Sequence, residues 1–236
     1  MARVRLLTAG ESHGPALVAV LDGIPAGLPL DEAMIRRDLA RRQKAAGAGP
    51  RMAIESDAAR ILAGVLAGRT TGAPLALLIE NRDHAAWKGR AVPPMTRPRP
   101  GHADLAGLLK YGVDDFRPVL ERASARETAA RVAAGAVARA LLAAFDIRVG
   151  GYLAAVGAVD AALDGLPLEA RLERAAADPI GCPDGAASAA MGCAMAAAAE
   201  AGETLGGVIE VIALGVPPGL GSHVQADRRL DAALAA

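Results

Sequence analysis

The sequence predicts an α+β fold, a sandwich of sheet and helices, from three observations. Strand-like and helix-like segments are mixed along the chain without the regular βαβα alternation of a parallel α/β sheet. Apolar residues make up 53% of the 236 residues and charged residues 22%, a balance that can form a core. No internal repeat and no composition shift typical of a linker is present, so we expect one domain over residues 1–236.

In the first half, alternation and apolar runs predict strands. These four segments are 4–8, 16–22, 61–65 and 74–80. A helix is predicted from an Asp31 cap to about Gln43, with Met34, Ile35 and Leu39 on one face. The proline-rich segment 81–103 is predicted as a long polar loop, and loops of that length are usually functional.

In the second half, Ser124 and Glu127 have the spacing of a capping box, which predicts a helix from Ser124 to about Phe145. The other expected helices are 103–110, 168–176, 184–201 and one starting at 227, and the expected strands are 147–159 and 205–216.

Composition excludes several classes of protein. Basic and acidic residues number 26 each, and this balance argues against broad nucleic-acid binding, as the five aromatic residues argue against a base-stacking surface. No segment has the length of a signal peptide or a membrane span, so a cytoplasmic protein is expected. Cys182 and Cys193 are too few for a disulfide framework and are expected as packing residues. The four histidines match no metal motif, so we expect no metal.

Two histidines lie in glycine-flanked loops, where a side chain can reach a ligand. His13 lies in Glu-Ser-His-Gly and His102 in Pro-Gly-His-Ala-Asp. Imidazole titrates near neutral pH, as a general acid must. Taken singly, each histidine is interpreted as a surface or structural residue before a catalytic one, and His84 and His223 are left at that interpretation.

Two arginines flank the start of the helix predicted at Ser124. Arg122 and Arg126 lie where the helix dipole disfavours cations, which indicates a bound anion. Pairing with Glu121 and Glu127 is an alternative of equal weight. Residues alone therefore predict an enzyme acting on a small anionic, phosphorylated substrate.

Longer motifs, in order along the chain, extend this interpretation. They are Thr8-Ala-Gly-Glu-Ser-His-Gly, Arg97-Pro-Arg-Pro-Gly-His-Ala-Asp, Lys110-Tyr-Gly and Glu121-Arg-Ala-Ser-Ala-Arg-Glu-Thr, followed by the glycine-rich segments 202–210 and 215–221. This series resembles the chorismate synthase family over nearly the whole chain. The resemblance implies a β-α-β sandwich, a homotetramer, and a lyase of the shikimate pathway to aromatic amino acids. Its reaction would be 1,4-anti elimination of phosphate from 5-enolpyruvylshikimate 3-phosphate, using reduced FMN without net redox change, with NADPH as a possible reductant of the flavin.

The same resemblance implies roles for single residues. His13 would be the acid for the departing phosphate, and His102 would control protonation of the reduced flavin ring. The residues implied to bind the substrate's anionic groups are Arg42, Arg99 and Arg126. Those implied to contact FMN are Arg122, Ala123 and Ser124.

Two departures from the family pattern set further expectations. Ala48 stands where the family usually has an arginine, and Lys44 or Arg51 could substitute for it. Later family motifs, including Gly-Arg-His-Asp-Pro with the catalytic aspartate, do not occur in the 236 residues. We therefore expect a chain truncated at its C-terminus and inactive alone, with weak affinity for FMN. The alternative is a non-catalytic homologue that retains an anion-binding or assembly role.

Overall fold

The computed structural model describes residues 4–43 and 56–235 and divides into two compact units, residues 1–141 and 142–236. Each unit has a hydrophobic core of its own. The boundary lies inside a helix rather than in a linker, which is why composition does not mark it. The single domain expected from the sequence stays a prediction. Ala48, Lys44 and Arg51 lie outside the described residues.

The first unit is built from six strands and five helices among the described residues. In chain order they are β1 Arg5–Ala9, β2 Ala16–Asp22, α1 Glu32–Gln43, β3 Ala59–Ala63, β4 Val65–Leu66, β5 Arg69–Thr70, β6 Leu75–Glu80, α2 His84–Trp87, α3 Asp104–Tyr111, α4 Arg117–Arg122 and α5 Thr128–Ala143. Mixed helices and antiparallel strands confirm the α+β prediction.

The main sheet of this unit has the strand order β1-β2-β6-β3, with every pair antiparallel. Alternate residues of β2 and β6 are buried, because successive side chains of a strand point to opposite faces. The buried positions face each other in pairs: Leu17 with Ile79, Ala19 with Leu77, and Leu21 with Leu75. They form one core cluster with α1 and the alanine face of α5, so a single apolar layer supports the loops at the strand ends.

Helix α1 begins as the sequence predicts. The Asp31 carboxylate accepts a hydrogen bond from Met34 N–H at 2.9 Å, as a helix cap does. Ile35 and Leu39 are fully buried on the face that the periodicity indicates. The helix therefore presents Arg42 in its last turn, near the start of α5.

The predictions for the segment before α5 need correction. The expected loop 81–103 contains the short helix α2, and α4 was not expected, although its Pro118 lies at the start of a helix where proline is tolerated. Ser124 caps a 3₁₀ turn, Ala125–Glu127, by accepting from Arg126 N–H at 3.3 Å. The Glu127 carboxylate accepts from Thr8 and Arg131 instead of completing a capping box.

The second unit holds the remaining elements. They are β7 Arg148–Val156, β8 Val159–Asp160, α6 Leu168–Ala177, α7 Gly185–Glu200, β9 Gly207–Leu214 and α8 Leu230–Ala235. The strands form an antiparallel sheet of order β8-β7-β9. Gly150 of β7 lets α6 pack closely: a Cβ there would lie 2.8 Å from Leu172 Cδ2, so the leucine side chain would have to shift.

Strand β9 forms one edge of this sheet and carries exposed apolar side chains at Val208, Ile209 and Val211.

The two cysteines were both predicted to be packing residues. Cys182, just before α7, is buried as predicted, but Cys193, on α7, is exposed, so the prediction was wrong for Cys193. In the described parts of the chain, no helix has the length and apolar character needed to cross a membrane.

Candidate active site

The loop between β1 and β2 carries His13, and the side-chain amide of Asn81 binds its backbone. Asn81, buried at the end of β6, donates to the carbonyl oxygens of Glu11, Ser12 and Gly14, at 3.1, 3.3 and 2.8 Å. These bonds satisfy carbonyls that the turn leaves without strand partners. The backbone around His13 is therefore fixed by a residue about seventy positions away.

The imidazole of His13 is bound by the carboxylate of Glu121. Its Nδ1 lies 2.9 Å from Oε1 and 3.0 Å from Oε2, and the His13 backbone N–H donates to Oε2 at 2.8 Å. The Glu121 carbonyl also accepts from Ser12 N–H at 2.9 Å. Since a carboxylate accepts hydrogen bonds, Nδ1 carries a proton. In neutral His13 the ring nitrogen without a proton is therefore Nε2.

Helix α2 closes the other side of His13. Asp83 Oδ2 lies 3.9 Å from Nε2, and the Trp87 ring lies 4.3 Å from the imidazole, tilted by 47°. His84 Nδ1 lies 2.9 Å from the His13 carbonyl oxygen and donates to it. The sequence left His84 as a structural histidine; the structure gives it the specific task of supporting the His13 backbone.

The start of α5 adjoins the same loop. Ser124 Oγ donates to Ser12 Oγ at 3.0 Å, which joins the residue before His13 to the cap of the 3₁₀ turn. Ala123 is exposed and ends α4, with its N–H donating to the Val119 carbonyl at 2.7 Å. Of the predicted neighbours of FMN, Ser124 is thus hydrogen-bonded directly to the His13 loop, and Ala123 precedes it in the chain.

Arg126 is buried in a pocket of acceptors. Its guanidinium donates from Nη1 to Asp57 Oδ1 at 2.5 Å, from Nε to Asn81 Oδ1 at 2.8 Å and from Nη2 to the Glu80 carbonyl at 3.3 Å. Its predicted alternative partners were Glu121 and Glu127, and the pairing with Asp57 corrects that alternative. A buried charge of this kind requires such complete pairing.

Arg42 reaches the same carboxylate from α1. It donates to Asp57 Oδ2 at 3.1 Å, to Thr128 Oγ1 at 3.0 Å and to the Ala125 carbonyl at 3.1 Å. The pKa of Arg42 is lowered by burial and by the charge of Arg126, while Asp57 opposes the shift. Two cations therefore share Asp57 at the start of α5.

Arg122 lies on the exposed side of this region, with 42% of its side chain accessible. Its Nη2 donates to the carbonyl and hydroxyl oxygens of Thr8 at 2.9 and 2.6 Å, and Nη1 donates to the Gly10 carbonyl at 3.3 Å. The Glu127 carboxylate lies 3.6 Å away, so the predicted alternative of pairing with Glu127 is confirmed for Arg122.

The proline-rich loop holds Arg99 and His102 around one carboxylate. Asp104, at the start of α3, accepts from Arg99 Nε, Nη2 and backbone N–H at 3.0, 2.9 and 2.9 Å. The Arg99 hydrogen bonds hold the pKa of Asp104 at about 2 against the opposing effect of burial, and the bond to Asp104 raises the pKa of Arg99. His102 is exposed, and its Nδ1 donates to the Pro100 carbonyl at 2.9 Å, which leaves Nε2 outward.

Sequence reasoning missed the anionic and amide partners of the predicted residues. Asp57 and Asn81 belong to none of the motifs. Asp104 and Glu121 do belong to motifs, but Asp104 was given no role and Glu121 only that of a partner for arginine. The signal that could have identified Asp104 is the motif Arg97-Pro-Arg-Pro-Gly-His-Ala-Asp, of which it is the last residue. Within residues 4–43 and 56–235, no group of three His, Cys, Asp or Glu side chains is placed to hold a metal ion.

The chain is similar to known proteins over nearly its full length. The family model described as chorismate synthase matches residues 4–236. A chorismate synthase of Symbiobacterium thermophilum is 55% identical over 99% of this chain and 63% of its own length. One of Desulforudis audaxviator is 52% identical over 98% of this chain and 62% of its own length. A crystal structure of chorismate synthase superposes with a TM-score of 0.83 at 42% identity, covering all of this chain and 66% of the other. The chain thus spans under two thirds of these relatives.

Proposed function

Because the chain belongs to the chorismate synthase family, we propose that it supplies groups for the 1,4-anti elimination of phosphate from 5-enolpyruvylshikimate 3-phosphate. The observation that carries the proposal is one hydrogen-bonded network around the loop before β2. It joins His13 and Ser12 to Ser124, and through Asn81 to Arg126. The network brings a proton donor and cations together, as removal of a phosphate requires.

In the proposed reaction the C3–O bond to phosphate breaks and a proton is lost from C6, so that chorismate and phosphate form without net oxidation. The departing phosphate gains negative charge as the bond breaks. Protonated His13 donates its Nε2 proton to that oxygen, while Nδ1–H stays bound to Glu121. Such general-acid assistance is worth about 10²- to 10⁴-fold in rate.

The substrate's carboxylates and phosphate are proposed to lie against Arg42, Arg99 and Arg126. Arg42 and Arg126 lie close enough to repel each other: burial is the main cause that lowers the pKa of Arg42, Asp57 opposes it, and the charge of Arg126 adds to the lowering. An anion bound beside them relieves that repulsion. Arg126 itself is only 3% exposed, so it would act on the substrate through its positive charge rather than by direct contact. Arg42 is the more accessible of the two.

Reduced FMN is proposed as the cofactor; when bound, it would supply transient electron transfer to the substrate. The half-exposed guanidinium of Arg122 is a charged donor that fits an anionic phosphate ester, and the adjacent Ser124 hydroxyl would have to leave Ser12 to donate to the same group. Ala123, exposed between them, has no side chain that would block approach. His102, with Nδ1 bound to the Pro100 carbonyl, offers Nε2 for proton exchange at the flavin ring.

Further features of the proposal rest on family membership alone. They are a homotetramer, a cytoplasmic location, and NADPH as the reductant of the flavin. Because the chain spans about 63% of the Symbiobacterium relative, we also propose that the 236 residues alone do not turn over substrate. The missing third would complete the positioning on which the elimination depends.

The decisive experiment compares the chain with a chimaera. The 236 residues are joined to the part of the Symbiobacterium protein that has no counterpart here. Both proteins are incubated anaerobically with dithionite-reduced FMN and 5-enolpyruvylshikimate 3-phosphate, and chorismate is followed by its absorbance. We expect turnover by the chimaera, none by the chain alone, and loss of turnover when His13 of the chimaera becomes alanine.

Each outcome decides a separate part of the proposal. An inactive but folded chimaera would contradict the contribution of these residues to the elimination. Clear turnover by the 236 residues would instead contradict the need for the missing third. Phosphate release without chorismate would point to hydrolysis of the ester and overturn the proposed reaction type.

A further inference from the structure

We propose that Glu121 is a positioning residue for His13, one that holds the imidazole in its Nδ1–H tautomer and directs Nε2 toward the substrate's leaving phosphate. The inference deepens the proposed function and rests on it for the identity of the phosphate. The tautomer and the ring position are properties of the chain itself and are testable without turnover.

Three contacts from one side chain carry the inference. The Glu121 carboxylate accepts from His13 backbone N–H at 2.8 Å and lies 2.9 and 3.0 Å from Nδ1. The carbonyl of Glu121 adds a fourth contact, from Ser12 N–H at 2.9 Å. The backbone and the ring of His13 therefore bind the same carboxylate, so neither can rotate without breaking a hydrogen bond.

The carboxylate is itself held in place. Its side chain is only 13% exposed, and Arg117 Nη1 lies 4.0 Å from Oε1, one helical turn earlier in α4. The Arg117 backbone N–H and that of Met95 both donate to Asp115 at 2.8 Å, which anchors the first turn of this helix. A preorganised acceptor loses little free energy on ordering when it binds the imidazole.

The remaining faces of the ring make the arrangement directional. Asp83 lies 3.9 Å from Nε2, Trp87 packs against the ring at 4.3 Å, and His84 donates to the His13 carbonyl. With Nδ1 bound and one face covered, the proton that His13 can transfer is the one on Nε2. The logic is that of a carboxylate orienting a catalytic histidine through its second nitrogen.

Two substitutions separate positioning from mere packing. Glu121→Gln keeps a carbonyl oxygen that can accept from Nδ1–H, so we expect the tautomer to persist. Glu121→Ala removes the acceptor, so the ring should populate both tautomers and lose its fixed orientation. A matched control is Glu173→Gln, which changes an exposed glutamate on α6 and should leave His13 unaltered.

The primary measurement is the ¹⁵N spectrum of the histidine rings in the 236-residue chain at a pH where imidazole is neutral. Protonated and unprotonated ring nitrogens resonate far apart, and His13→Ala identifies the signals by their loss. We expect Nδ1 of His13 to be the protonated nitrogen in the wild type and in Glu121→Gln, and mixed signals in Glu121→Ala. Protonation at Nε2 in the wild type would overturn the inference.

Trp87 provides a second measurement, because it is the one tryptophan of the chain. Protonated imidazole quenches indole fluorescence on contact, so at acid pH His13→Ala should raise the emission of Trp87. Glu121→Ala should raise it as well, since the ring is no longer held at 4.3 Å. Unchanged emission in a folded Glu121→Ala protein, together with unchanged ring tautomer, would also overturn the inference.

Activity in the chimaera then links positioning to catalysis. Misplacement of a catalytic group by about 1 Å costs about 10²-fold in rate, so Glu121→Ala should lower kcat by about that factor with little change in KM. Glu121→Gln should recover most of the loss. If the ring spectra follow expectation but the wild-type chimaera is inactive, the proposed function fails while the positioning role stands. An active chimaera whose kcat is unaffected by Glu121→Ala would refute the role in catalysis.

Discussion

Arg126 Nη1 lies 2.5 Å from Asp57 Oδ1, with 2% and 0% of the two side chains exposed. This buried pair connects Asp57, just before β3, to the 3₁₀ turn between the candidate cofactor contacts and α5. Asp57 also accepts from Arg42 at 3.1 Å. Two of the three candidate substrate-binding arginines, Arg42 and Arg126, are thus bound by a carboxylate that no motif indicated.

Replacing Asp57 with alanine should destabilise the chain strongly. Arg126 would keep its charge in a buried position without its carboxylate, and breaking a buried pair costs about 3–5 kcal/mol. Urea unfolding followed by circular dichroism gives the free energy of unfolding. The control is Asp38→Ala, which breaks the exposed pair between Asp38 and Arg139 and should cost about 0–1 kcal/mol. Equal losses in the two variants would contradict the importance of the buried pair.

Asn81→Ala should loosen the His13 loop. The amide bonds three carbonyls of that loop and accepts from Arg126 at 2.8 Å. Leaving buried groups unsatisfied costs about 1–3 kcal/mol each, so we expect a loss of at least about 2 kcal/mol. Amide hydrogen exchange of residues 11–14 should accelerate more than exchange in the second unit. Uniform acceleration across both units would show a global effect instead.

The Arg99–Asp104 pair should make stability depend on pH in the acid range. The folded pKa of Asp104 is about 2, below its ordinary value of 3.8, because Arg99 donates hydrogen bonds to it. Its contribution is therefore complete above about pH 4 and is lost as pH falls toward 2. The difference in unfolding free energy between wild type and Asp104→Asn should shrink over that window. A difference that stays constant between pH 5 and pH 2 would contradict the assignment.

His13→Ala and His102→Ala should each lower turnover of the chimaera by about 10²- to 10⁴-fold. His223→Ala is the control and should change turnover little, since the sequence predicts no role for His223. His84→Ala is not a neutral control, because His84 donates to the His13 carbonyl. Near-wild-type turnover after either substitution would remove that histidine from the mechanism.

Much of the fold was predictable because it follows from local pattern. The alternation in 16–22 predicts β2 with its observed bounds, and the Asp31 cap predicts the start of α1. Helix α4 was not predicted, since Pro118 obscured a short helix of mixed polarity. The capping box at Ser124 formed only in part, because Thr8 and Arg131 provide better donors for Glu127 than the local backbone does.

The sequence by itself determined the family, the α+β class and the residues expected to act, because ordered motifs and periodicity are properties of neighbouring positions. Tertiary structure alone decided their partners: Glu121 for His13, Asp57 for Arg126, and Asn81 for the loop at 11–14. Along the chain, Glu121 and His13 are 108 residues apart, Asp57 and Arg126 are 69 apart, and Asn81 is 70 residues from Glu11. A carboxylate or amide chooses among many cations and carbonyls by distance and burial, and those are set only when the sheet and helices pack.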